Sequence, residues 1–198
     1  PSGDITASAH ALDPSHSQTS AQNIDLNAQA HDLTARYATI NADKQLKASA
    51  INQLITDYGT LSAPDLQLGA AHLSNIGGTL THTGEHDWRL HFLGNINNTD
   101  GTINSHNRFF RLLANHIDNT RGKLIHVGAG NLSIQAEQLD NTAGSIHTDH
   151  ALIIDSTRTI LDQANIDASQ LTINTATLSN RGGTIKLSGL HPNQFNVR

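Results

Sequence analysis

Two acidic residues make the best case for catalysis in this chain. Asp118 and Asp140 lie 22 positions apart in near-identical settings, I-D-N-T-R-G and L-D-N-T-A-G. If the chain climbs one turn over that interval, their carboxyls stand about one strand spacing apart. Retaining glycosidases hold their carboxyl pair at about 5–5.5 Å, so a polysaccharide-degrading β-helix enzyme is the activity this pair would serve. Ser74, Asn97 and Ser179 fill the same place in related stretches. What these residues share with aspartate is the ability to bond their own turn. That favours a structural role, and no catalytic residue is assigned.

Histidine is abundant, with 13 copies. At this interval His10 pairs with His31, while His72 and His116, and His82 and His126, lie two intervals apart; His147 and His150 form the only close pair. Zinc needs three or four ligands converging at about 2 Å, which none of these spacings supplies, so no metal site and no cofactor is expected. Exposure on a polar surface is the expectation for these side chains, where they would titrate near neutrality. Gly128-Ala129-Gly130 begins a dinucleotide motif but lacks its third glycine and its helix. No metalloprotease, nucleophile-elbow, P-loop or calcium-nonapeptide signature is present. Arg89 and Arg111, also 22 apart with Arg108 close by, are expected to neighbour each other on the outside. They are the candidate contact for a sulfated or sialylated glycan, opposed by Glu85 and Asp87.

Whatever positions these residues must be periodic. The octet Leu73–Leu80, L-S-N-I-G-G-T-L, recurs at Ile96–Ile103, Ile117–Leu124, Leu139–Ile146 and Leu178–Ile185. Its asparagines, Asn75, Asn98, Asn119, Asn141 and Asn180, are separated by 23, 21, 22 and 39 residues. The last step is close to two periods, with Leu161–Asn165 as a degraded copy. Repeats of that length mark a stacked solenoid. Its asparagines are expected to form an amide ladder. Gly78, Gly101, Gly122, Gly144 and Gly183 are expected at corners with positive φ.

A strand-like apolar-x-apolar triplet also appears once per period. Ile5, Leu26, Ala48, Leu68, Leu90, Leu112, Ile134, Ile154 and Ile173 are read as one column, and Phe195 as the start of a tenth unit. Alternation dominates and proline is rare, so helices are not expected. The predicted fold is all-β, a single parallel β-solenoid of about nine to ten coils with 19–22 residues each. Residues 1–65 carry the columns without the octet, with a looser tract at 35–45 that could hold an inserted bend. Residues 66–187 carry the octet repeats, and 188–198 begin a further coil.

The totals agree with such a fold. Of 198 residues, 36% are hydrophobic and only 4% aromatic, which suits a narrow interior. A net charge of −5 offers no general attraction to nucleic acid or anionic lipid. No apolar run approaches the length of a membrane span, and the absence of cysteine removes disulfides and thiolate metal sites. Neither end carries a cap, so a piece of something longer is expected.

The octet within coils that carry L-x-L-x-A, as in Leu132–Gly144 and Leu66–Gly78, resembles the repeats of filamentous haemagglutinin and of contact-dependent inhibition exoproteins. The resemblance is strong from Leu66 to Leu187 and compositional before that. It implies a right-handed parallel β-helix secreted by a Gram-negative bacterium through an outer-membrane two-partner transporter. The implied role is a rigid shaft of an adhesin or toxin stalk at the cell surface, meeting a host or bacterial receptor or glycan. The secretion-domain signature of the family is not recognisable, which places the segment within the shaft.

Overall fold

In the computed structural model, which describes residues 3–190 and 192–197, every strand pairing is parallel and joins residues one coil apart. The described residues contain no helix. The expected all-β parallel solenoid is therefore the fold, with about nine turns. Three faces form each coil. The first is built from short strands such as Thr60–Ala63, Thr79–His82, Thr102–Ser105, Lys123–His126 and Ser145–Thr148. The second and third faces run together in the later coils as the bent strands Phe110–Asp118, Leu132–Asp140 and Ala151–Ile160. In the early coils the first and second faces run together instead, as Gln18–Ala28 and Thr39–Ala50.

Side chains alternate along each strand, so equivalent apolar residues stack inside. Trp88, Phe110, Leu132, Leu152 and Leu171 are consecutive partners in one column, and Leu90, Leu112, Ile134, Ile154, Ile173 and Phe195 in the next. Up to Ile173 these side chains are buried. Arg89, Arg111, Ser133, Ile153 and Thr172 form the outward row between them. The expected alignment of Ile5 with Leu26 is two residues out: Ile5 pairs with Ile24, and Ala7 with Leu26. A shift of two keeps the inward face, so the hydrophobic pattern alone did not distinguish the registers.

The corner between the third and first faces is the most regular part of the molecule. Nine described residues adopt a left-handed φ: His16, Tyr37, Tyr58, Gly77, Asp100, Arg121, Ala143, Gln163 and Gly182. All nine occupy the fifth place of the octet, one per coil. In this turn the amide of the sixth residue bonds the carbonyl of the third, from Ser17 to Pro14 through Ala164 to Leu161. The fifth residue's amide donates onward to the next coil, as Asp100 does to Thr120 and Arg121 to Thr142 at 3.0 Å. The early coils thus share the turn without its signature, and the tract at 35–45 holds this turn and the start of strand Thr39–Ala50. The expected insertion is a one-residue bulge in that strand, since Ala42 and Gln45 pair with Ala21 and Asn23.

The corner between the first and second faces varies in length. Residues 83–87 fill it in one coil, 127–131 in another, and 149–150 in the next. The flanking strands nevertheless keep their partners.

Candidate functional site

A turn of this kind leaves one side chain per coil, at the third place of the octet, aimed into the corner of the core. Asn75, Asn98, Asn119 and Asn141 occupy it and are wholly buried. Asn75 Nδ2 donates to Asn98 Oδ1 at 2.6 Å, Asn98 to Asn119 at 2.6 Å, and Asn119 to Asn141 at 2.5 Å. Each of these three Nδ2 atoms also reaches the carbonyl of the glycine three residues on, at 3.2–3.3 Å. The ladder begins one coil earlier, where Thr56 Oγ1 donates to Asn75 Oδ1 at 2.8 Å. It stops at Asn141, whose Nδ2 has no hydrogen-bond partner among the described residues, because the next coil places Leu161 in that slot. Asn180 holds the same octet place one coil further, but its side chain is exposed.

The partner glycines differ from the sequence expectation. Gly78, Gly101, Gly122, Gly144 and Gly183 are not the left-handed residues; that conformation falls one place earlier. At the first four a Cβ would strike the ladder, and at Gly183 it would strike Asn180 Oδ1 and the Leu161 carbonyl. At Gly101 it would collide with the Asn75 carbonyl oxygen and come within 2.6 Å of Asn98 Oδ1. Where Leu161 replaces asparagine, Ala164 replaces glycine.

Asp118 and Asp140 face their own turns. Asp118 Oδ1 accepts from the Thr120 amide at 2.9 Å, and Asp140 Oδ1 from the Thr142 amide at 2.9 Å and its hydroxyl at 2.6 Å. In two of the coils without a ladder asparagine, an aspartate at the fourth place crosses to the next coil instead. Asp57 accepts from Ser74 Oγ at 2.6 Å and the Ile76 amide at 3.0 Å, while Asp162 accepts from Ser179 Oγ at 2.5 Å and the Arg181 amide at 2.9 Å. The Arg181 amide and then the Ser179 hydroxyl hold the Asp162 carboxyl below the usual range.

Arg89 and Arg111 are direct partners on adjacent strands, and both are exposed. Among the described residues neither has an acidic partner. Arg108 lies over the Phe109 ring at 5.4 Å from its centroid, beside them. Phe109, Leu113 and Ile153 line a shallow depression with the two arginines.

Two histidines depart from the expected exposure. His82 and His126 are buried at 1% and 0% exposure, since the fourth position of the first-face strands points inward. Burial pushes both imidazoles below their ordinary value. The spacing did reveal that they align; the direction in which they point could be read only once the strand register was known. Among the described residues no three acidic or histidine side chains converge as a metal site requires.

Over 150 residues, 75% of its length, the chain is 33% identical to Toxin CdiA of Yersinia pestis. The chain spans 4% of the length of that relative. No family model matches the chain, and no solved structure matches it. The relationship points to the contact-dependent inhibition, two-partner secretion exoproteins, and the β-solenoid fits a shaft repeat of such a protein.

Proposed function

We propose that this chain is a rigid shaft segment of a secreted exoprotein of that kind, displayed at the surface of a Gram-negative bacterium. Passage through an outer-membrane two-partner transporter goes with this reading. So does presentation of an adhesive or toxic tip to a host-cell or bacterial receptor. The observation that carries it is the uninterrupted parallel pairing from Asp4 to Val197, joined by short turns. Hydrogen bonds spaced evenly along every face resist bending, and about nine turns at roughly 4.8 Å extend about 43 Å. Deleting one whole coil, residues 102–122, joins Gly101 to Lys123, the register partner of Thr102. In the full-length exoprotein this deletion should shorten the filament by about 5 Å while surface display and delivery to target cells persist. Loss of delivery by a folded, displayed deletion protein would reject a purely mechanical role.

The alternative, a polysaccharide-degrading enzyme, draws no support from Asp118 and Asp140, which serve their own turns. A second contact function is favoured by the Arg89–Arg111 pair. Two adjacent guanidinium groups without acidic partners repel each other weakly in water, by about 0.8 kcal/mol at 5 Å. A sulfated or sialylated glycan would relieve that repulsion, and the depression beside them, where Phe109, Leu113 and Ile153 lie among Asn131, Ser133 and Gln135, would accept a sugar face and its hydroxyls. Changing both arginines to alanine should abolish retention on heparin; unchanged retention removes the reading.

A further inference from the structure

The first-face strands send their fourth residue into the corner shared with the second face. In successive coils that residue is Ala63, His82, Ser105, His126 and Thr148, all in register. Aromatic rings of the neighbouring column cover it. His82 stacks on Trp88 at 5.2 Å, Trp88 on Phe110 at 4.8 Å, and Phe110 meets His126 at 6.1 Å.

The hydrogen bonds around His126 fix an unusual demand. Asn107 Nδ2 donates to the Phe109 carbonyl, so Asn107 Oδ1 faces Ser105, whose hydroxyl proton is committed to it. Ser105 Oγ is thereby left as an acceptor toward His126 Nδ1, at 3.2 Å. On the other side His126 Nε2 lies 3.1 Å from the Gly130 carbonyl, which can only accept. Both ring nitrogens therefore face acceptors, whereas a neutral imidazole carries one N–H. Protonation satisfies both contacts. The Gly128-Ala129-Gly130 loop can supply that carbonyl because a Cβ at Gly128 would strike the Asn107 carbonyl, and one at Gly130 the Arg108 carbonyl.

His82 is the opposite case. Its Nδ1 is buried without a partner, as is Trp88 Nε1. Adding a proton there creates a buried donor that makes no hydrogen bond among the described residues, and the His82 and Gly84 backbone offsets only part of the burial cost. The titratable groups acting on His82 are Asp65 and His86, and those on His126 are Asp149 and His150. Ala63, Ser105, Thr148, Trp88 and Phe110, the interior neighbours, do not titrate in this range.

We propose that this interior column is an acid-sensitive latch, in which His126 takes up a proton with the coils intact and protonation of His82 parts them. The idea goes beyond the shaft reading and does not depend on it. The sign follows from burial. Each folded-state value lies below 6.5, so the unfolded chain binds more protons. The stabilisation is complete above 6.5 and is lost as pH falls from there through the folded values.

Histidine ring resonances followed by NMR through an acid titration of the whole chain should show His126 protonating at higher pH than His82, with both below 6.5. Over the same interval the urea midpoint should fall, and amide protection at Leu80 and Ile103 should drop before that at Ile40. His82→Ser places in the column the residue that Ser105 already contributes, and it should flatten the fall. A His82 that titrates at or above 6.5, or at the same pH as His126, overturns the proposal. So does a urea midpoint whose pH dependence is the same in His82→Ser as in the parent.

Discussion

Asn98 and Asn119, 21 residues apart in sequence, share a 2.6 Å amide hydrogen bond in a site closed to solvent. Each amide is held on both sides by its neighbours in adjacent coils, so the ladder acts as a chain of mutual constraints. Asn98→Ala leaves Asn75 Nδ2 without its asparagine partner and strips Asn119 Oδ1 of its donor. The expected cost is about 1–3 kcal/mol, the penalty for stranding buried polar atoms. Asn180→Ala, at the exposed equivalent, should change stability by less than about 0.5 kcal/mol. Urea denaturation of the two variants checks the contrast.

Two glycines separate conformation from crowding. Gly182 has φ +67° with nothing within 4 Å of a Cβ, whereas Gly101 has an ordinary φ and a Cβ there would meet the ladder. Alanine at 182 should cost about 1–2 kcal/mol of left-handed strain, and D-alanine at that position should restore stability. Alanine at 101 should cost more, and D-alanine, whose methyl replaces the other glycine hydrogen, should not rescue it by the same route. Semisynthetic variants compared by thermal unfolding decide the matter.

The missing rung at Leu161 makes a coupled prediction. Asn141 Nδ2 lacks a partner that Leu161→Asn would supply. Ala164, however, stands where the other ladder coils have glycine, and its methyl group occupies space that an asparagine amide needs. Leu161→Asn alone should therefore destabilise. Adding Ala164→Gly should recover part of the loss, with a favourable coupling of about 0.5–3 kcal/mol in a double-mutant cycle.

Asp162 makes a second, separate acid response. Its carboxyl is held below 3.8, first by the Arg181 amide and then by the Ser179 hydroxyl. The stabilisation it supplies is present above 3.8 and is lost as pH falls through the lower folded value. Asp162→Asn should remove that portion of the acid dependence and leave the response below 6.5 unchanged, since that one belongs to the histidines. Urea midpoints measured across both intervals separate the two.

The period, the parallel stack and the asparagine slot were legible because each depends on one recurring side chain. The turn of the early coils was not. Its geometry is set by the fifth octet residue, where His16, Tyr37 and Tyr58 stand in place of the glycine at 77 or 182. Tyrosine does not announce a left-handed backbone, and histidine, though enriched there, is far less specific than glycine. Their mutual stacking, at 5.0 and 5.1 Å between ring centroids, is visible only once the coils are in place. Ala35 and Thr56 hid the ladder slot in the same way, since both fit the interior without forming the amide signature. The inward turn of His82 and His126 was obscured by their polarity: an alternating strand pattern is read from apolar residues, and these stand where an apolar one is expected.

The corner between the first and second faces, which holds two residues in one coil and five in others, gives the chain a place to absorb accidents of replication. Codons gained or lost there change the contour of one coil and leave every neighbour in step. A lineage carrying this solenoid can accordingly diversify what it shows at that edge, patch by patch, while inheriting the same scaffold.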